Sequence, residues 1–150
     1  MKTAEELIGG NKKELLSVSP EATIYEAIQI MNNSKTGSIL VKENNDIVGI
    51  WTERDYLRDT SSKGFNPYTA QVKEYMQKKL HFAKHDENIY QLMDKFLGLR
   101  IRHLPVKKND DIIGLLSSGD VLKEILKAKD EELAKIQKRL SWEYHEDWKW

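Results

Sequence analysis

Gly49-Ile50-Trp51-Thr52-Glu53-Arg54-Asp55 returns 65 residues later as Gly114-Leu115-Leu116-Ser117-Ser118-Gly119-Asp120. Each stretch reads glycine, two apolar residues, a hydroxyl, two variable residues and an aspartate. Working outward at the same offset, residues 15–59 lie over 80–124 without a gap. Leu15/Leu80, Ile24/Ile89, Tyr25/Tyr90, Val41/Val106, Asn44/Asn109, Asp46/Asp111 and Leu57/Leu122 are identical pairs. An internal repeat constrains architecture before any propensity argument. Two copies imply a pseudo-twofold pair rather than a solenoid, with two related clefts where the copies meet. A repeat of about 60 residues buries too little surface to be stable alone, so the halves are expected to fold together.

Each copy carries the same pattern of elements. A short extended approach (Leu16–Val18, His81–Ala83) precedes a helix with apolar residues at helical spacing: Ile24, Ala27, Ile28 and Met31, or Ile89, Leu92, Met93, Phe96 and Leu97. A strand (Ser38–Val41, His103–Val106), a polar hairpin turn, a second strand (Ile47–Trp51, Ile112–Leu116) and a second helix follow. The predicted fold class is α+β: two β-α-β-β-α repeats plus a C-terminal amphipathic helix. Residues 1–68 form the first unit with its N-terminal helix and linker, 69–127 the second, and 128–150 a helical extension. Thr3–Ile8 and Thr69–Met76 are expected to be short helices leading into the first and second copies. In the extension, Leu122, Leu126, Leu133, Ile136 and Leu140 form one apolar stripe opposite Glu131, Glu132, Lys135, Lys138 and Arg139. Such a stripe seeks a packing partner, most economically a second copy of the chain. Three of the four tryptophans lie between Ser141 and Trp150.

Composition narrows the function. Lys plus Arg and Asp plus Glu are equal at 24 each, which argues against a general nucleic-acid or anionic-membrane binder. Stacking of RNA on the tail aromatics fits poorly with Glu143, Glu146 and Asp147 among them. The absence of cysteine removes disulfides, thiolate zinc sites and a cysteine nucleophile. No stretch approaches the roughly 18 apolar residues of a membrane span, and the N-terminus has no signal-like apolar run. A cytoplasmic location is the expectation. The histidines lack metal-ligand spacing, and no phosphate-cradling glycine loop is present. A binding module is expected rather than an enzyme.

The repeated corner permits two readings. A hydroxyl followed three residues later by an acid caps a helix. It can also serve a ligand, the hydroxyl bonding a phosphate or ribose oxygen and the carboxylate accepting from a sugar diol. A second signal is Arg100-Ile101-Arg102-His103-Leu104-Pro105-Val106. Its proline suggests an edge or strand end with exposed backbone, and its arginines share one face.

These elements, with Val72-Lys73-Glu74-Tyr75-Met76, resemble a tandem pair of cystathionine β-synthase (CBS) domains, a Bateman module, over about residues 3–127. The resemblance implies clefts for adenine nucleotides (AMP, ADP, ATP, in some members NAD or S-adenosylmethionine) and a flat homodimer. It implies that Asp55 and Asp120 hold ribose hydroxyls and that Thr52 and Ser117 contact ribose or phosphate. Ser17, Val18, Phe82 and Ala83 would border the base. Thr36, Gly37, Ser38 and Ile39, and Ile101, Arg102, His103 and Leu104, would offer backbone to the adenine edge. Arg54, Arg58, Lys35, Arg100 and Arg102 are the expected phosphate cations, Arg54 and Arg102 first. The first copy lacks the His-x-Pro element, so the clefts cannot be equivalent. The better-equipped one is expected around Asp120 and Arg102–Pro105, borrowing Arg54. The implied function is a nucleotide-sensing regulator acting on a separate effector protein. The alternative is a ligand-free adaptor dimer working through its Trp-rich tail.

Overall fold

A computed structural model describes residues 1–10 and 15–136. The 141–150 tail and Leu140, Lys138 and Arg139 lie outside the described residues. Two three-stranded sheets carry the fold. In the first, β1 (Ser17–Val18) runs parallel to β2 (Ser38–Glu43), which pairs antiparallel with β3 (Asp46–Thr52). The second repeats this with β4 (Ala83–Lys84), β5 (His103–Lys108) and β6 (Asp111–Ser117). The hairpin turns place Asn44, Asn45 and Asn109 at positive φ, where asparagine is among the best-tolerated side chains. Both hairpins shift register at the same place, Val41/Lys42 and Val106/Lys107.

Helix α2 (Ile24–Ser34) is capped by Thr23, which forms a reciprocal capping box with Glu26. Helix α5 (Ile89–Leu99) starts on the corresponding box of Asn88 and Gln91. Their apolar faces cover the sheets. Ile24, Ala27 and Met31 join Ile39, Val41 and Trp51 in one core, while Ile89, Leu92 and Phe96 join Leu104, Val106 and Leu116 in the other. Both helices end on a left-handed residue with a side chain, Lys35 (φ 51°) and Arg100 (φ 54°). Glycine is the usual choice there, so the chain places a cation at a conformationally costly position in both copies.

The second helices differ in length. Helix α3 (Glu53–Asp59) is short, whereas α6 runs unbroken from Ser118 to Ile136. Leu122, Leu126 and Leu133 on α6 are 48%, 48% and 38% exposed. No described helix is long and apolar enough to cross a membrane.

The leading helices cross over. Helix α1 (Ala4–Gly10) packs on the second sheet, with Ala4 N–H donating to Glu87 O and Ile8 lying over Gly114. Helix α4 (Val72–Tyr75) packs on the first sheet, with Val72 N–H donating to Ala22 O and Met76 over Gly49. Each therefore completes the sheet of the copy it does not lead into. This exchange corrects the expectation that Thr3–Ile8 serves the first copy and Thr69–Met76 the second. Ion pairs Lys2–Glu124 and Lys108–Glu5 fasten α1 at its borrowed place.

Candidate functional site

Both corners form capping boxes, but with different consequences. At the first, Asp55 Oδ2 accepts from Thr52 N (3.0 Å) and Thr52 Oγ1 (3.1 Å). Its Oδ1 accepts from Gln77 Nε2 (2.8 Å) and pairs with Arg58 Nη1 (3.1 Å). Asp55 is 1% exposed, and both oxygens are engaged. At the second, Asp120 Oδ2 accepts from Ser117 N (3.0 Å), while Asp120 N–H donates to Ser117 Oγ (3.1 Å). Asp120 is only half-buried. The cap needs one of its oxygens.

The difference traces to neighbouring residues. Trp51 Nε1 donates to Asp59 Oδ2 (2.9 Å), and Arg58 bridges Asp59 to Asp55. This buried network draws the first corner inward. Leu116 and Glu124 stand where Trp51 and Asp59 do, and Glu124 pairs instead with Lys2 and Lys127. Those cations hold the Glu124 carboxyl below its usual range despite the desolvation that opposes them.

Two clefts open between the copies. The larger, about 390 Å³, sets Ser117, Asp120 and Leu115 of the second copy against Ser34, Lys35, Thr36, Gly37 and Ser38 of the first, with Leu15 and Leu16 also in its lining. The smaller, about 220 Å³, sets Ile50, Thr52, Glu53 and Arg54 of the first copy against Arg100, Ile101 and Arg102 of the second, with Gln77. His103 lines both. The clefts follow one rule: the corner of one copy faces the strand approach of the other. Within each copy, the corner closes onto its own approach through Glu53 N–H to Gly37 O and Ser118 N–H to Arg102 O, both 2.9 Å.

This pairing corrects the expected composition of the better-equipped cleft. Asp120 faces Lys35–Ser38, while Arg54, Arg100 and Arg102 gather in the other opening. Arg54 Nη1 donates to Arg100 O (3.4 Å) at the C-terminal end of α5. Other expected contacts lie elsewhere. Asp55 is sealed, and Arg58 is held between Asp55 and Asp59. Val18, Ile39, Ala83 and Leu104 belong to the two cores. Ser17 pairs with Leu40 in β1, and Phe82 sits under the Lys107 ammonium with its carbonyl taken by Lys95. Neither lines a cleft.

Pro105 is buried in the central strand β5, opposite Leu115, rather than at an exposed edge. The first copy shows how a proline is accommodated there. Leu40, its counterpart, donates to Leu16 O (3.3 Å), and β1 begins at Ser17. Proline cannot donate, and β4 begins one position later in the repeat, at Ala83.

Two buried polar atoms lack partners among the described residues, Ser38 Oγ and His103 Nε2, and these are the same position in the two copies. A buried hydroxyl without a partner is uncommon and points to a ligand or water. His103 is held below the ordinary imidazole range by burial, against the pull of Glu53 and Asp120. Leu15, Leu16, Leu115, Glu53 and Gln77 line clefts without having been named as binding residues from the sequence; Leu15 repeats as Leu80, and Glu53 and Leu115 lie within the repeated corner itself.

Two β-α-β-β-α units, exchanged helices and paired inter-copy clefts define a tandem two-copy module. The chain belongs to the CBS domain family, whose profile matches residues 5–61 and 72–127. It is 32% identical over 119 residues to the mitochondrial CBS domain-containing protein CBSX3 of Arabidopsis thaliana, covering 76% of this chain and 58% of that protein. The chain thus spans under two thirds of that relative's length. The solved CBS-domain-containing protein ATU1752 from Agrobacterium tumefaciens is 29% identical, with a TM-score of 0.78 over 83% of this chain and 99% of that one. At 20% identity, the CBS domain protein PAE2072 from Pyrobaculum aerophilum, solved in complex with AMP, shares the fold (TM-score 0.70, covering 84% and 99%).

Proposed function

We propose that the chain is a regulatory module that senses an adenine nucleotide, AMP foremost and ATP, ADP or NAD as alternatives, in the larger cleft. The observation that carries this reading is the half-buried Asp120 in the lining of a 390 Å³ cleft, a volume within the range of small-molecule sites. Its carboxylate accepts from the ribose hydroxyls. Ser117, whose oxygen serves the cap as acceptor, turns its hydroxyl proton to the ligand. Ser38 Oγ gains its missing partner. Lys35 meets the phosphate, and Leu15, Leu16 and Leu115 flank the base. The AMP-bound relative of the same fold supports the ligand class.

Output follows from α6. Asp120 stands in its first turn, and the exposed leucines lie further along the same helix. A ligand that prefers one pose of that helix biases whatever the leucines contact, a second copy of the chain or a separate effector. The function is binding and regulation rather than catalysis.

Calorimetric titration of AMP, ATP and NAD tests the reading on wild type and Asp120→Asn. Asparagine retains an oxygen for the Ser117 N–H but loses the charge. Affinity is expected to fall about 10-fold or more, as for a lost hydrogen bond to a charged group. No heat with any of the three would remove the proposal. The exposed leucines also favour a second reading, a ligand-free adaptor. Deleting residues 128–150 discriminates: abolished assembly in a protein that never binds nucleotide is the adaptor's signature.

A further inference from the structure

Of the four arginines among the described residues, Arg58 is paired with Asp55 and Asp59, and the other three, Arg54, Arg100 and Arg102, all line the smaller cleft. None of the three forms an ion pair with a carboxylate among the described residues. A protein with equal numbers of acids and bases has ample carboxylates to neutralise them. Three arginines without a carboxylate partner in the lining of one opening give it a standing positive field, and the forked donors of arginine match phosphate oxygens.

The same cleft lacks what a nucleoside needs. Asp55, the counterpart of Asp120, is sealed, with both oxygens taken. Thr52 Oγ1 already donates to Asp55 Oδ2, so its hydroxyl proton is unavailable to a sugar. The volume, about 220 Å³, is below the roughly 300 Å³ at which sites for whole organic ligands begin. It equals the room taken by about seven waters, which suits an inorganic phosphate or pyrophosphate. Glu53 is the one acid in the lining. Its carboxylate leans over Gly37, where an added Cβ would lie 2.3 Å from Glu53 Oε2.

We propose that the smaller cleft is a receptor for a compact, sugar-free polyanion of the pyrophosphate class, held by Arg54, Arg100 and Arg102. The two clefts of the pair thus take different chemistries: a nucleoside-bearing ligand where the carboxylate is reachable, and a bare polyanion where it is sealed. This assignment stands whether or not the larger cleft takes a nucleotide. The polyphosphate end of a nucleotide offers the same chemistry, so the test separates the two sources.

The full chain is titrated at low salt with pyrophosphate, inorganic phosphate and ATP, following binding by calorimetry. Pyrophosphate is expected to bind wild type and Asp120→Asn alike. The double variant R54A/R102A is expected to weaken it about 10-fold or more, with R54K/R102K recovering part of the loss. Glu53→Gln should tighten it about threefold by removing the opposing charge. Glu53, Arg54 and Arg102 are exposed and Asn keeps the cap oxygen at the half-buried Asp120, so the variants should fold, and circular dichroism and melting check it. Absence of pyrophosphate binding to wild type overturns the proposal. So does loss in Asp120→Asn with retention in R54A/R102A, which would put the anion in the larger cleft. Binding of ATP but not pyrophosphate would mean that the arginines serve only a nucleotide's phosphate tail, and the sugar-free assignment fails.

Discussion

His103 Nε2 lies 3.8 Å from Glu53 Oε1, so β5 of the second copy faces the start of α3 in the first across the wall between the clefts. The separation is too long for a hydrogen bond and close enough for an ion pair once the ring is protonated. Burial opposes that protonation and dominates, although Glu53 and Asp120 favour it; Arg102 adds to the opposition. The folded imidazole therefore titrates below its usual value of 6.5. Between the folded and unfolded values the unfolded chain binds more protons, so stability rises with pH. The contribution is fully present above about pH 6.5 and is lost as pH falls through the folded value. Urea melts from about pH 8 down to about pH 5 should show a decline that His103→Gln flattens. An unchanged pH profile in that variant would show that another group governs acid sensitivity.

The two corner aspartates should separate under mutation. Asp55→Ala removes a cap acceptor and a buried carboxylate that the exposed Gln77 and Arg58 reach from the surface, at a cost of about 1–3 kcal/mol. Asp120→Ala loses one cap at a half-exposed site and should cost about 1 kcal/mol. Nucleotide affinity should respond in the opposite order, with Asp120 dominant. Chemical denaturation and calorimetry on both variants check the pair. Equal losses of affinity would mean that the first corner opens to ligand.

That contrast marks how far the sequence could be read. The duplication, the two sheets and the hydroxyl–acid corner were legible because they repeat at a fixed offset, and periodic patterns report local structure well. The inequality of Asp55 and Asp120 was not. It depends on Trp51, Arg58, Asp59 and Gln77 converging in space, and Gln77 lies just past α4, the leader of the other copy, bridged to Ile50. Pairwise geometry of that kind leaves no periodic trace. The same holds for the clefts: the larger sets Lys35–Ser38 against Ser117 and Asp120, about 80 positions on, the smaller sets Thr52–Arg54 against Arg100–Arg102, about 50 on, and their pairing became visible only once the copies were placed face to face.

Leu126 offers a test of assembly. It is 48% exposed, so Leu126→Glu should change the stability of the isolated chain by no more than about 0.5 kcal/mol. If α6 is the dimer contact, the same charge would be buried at the interface and should dissociate the assembly. Light scattering after gel filtration reads the mass directly. A variant that keeps the wild-type mass would move the interface away from this stripe.

The exchanged helices make a prediction about cooperativity. Gly114 lies in the middle of β6, with Ile8 of α1 pressed against it; an added Cβ would stand 2.7 Å from Ile8 Cδ1. Gly114→Ala should therefore lift α1 from the second sheet and destabilise the chain by about 1–3 kcal/mol. Ile8→Ala alone should also destabilise, by removing apolar contact. Together the two should cost less than their sum, because the shortened side chain makes room for the new methyl. A double-mutant cycle measured by urea denaturation would show this as a favourable coupling. Since α1 leads into the first copy yet completes the second, the loss should appear as one transition for both halves. Additive energies, or two separate transitions, would show that α1 is not what ties the copies together.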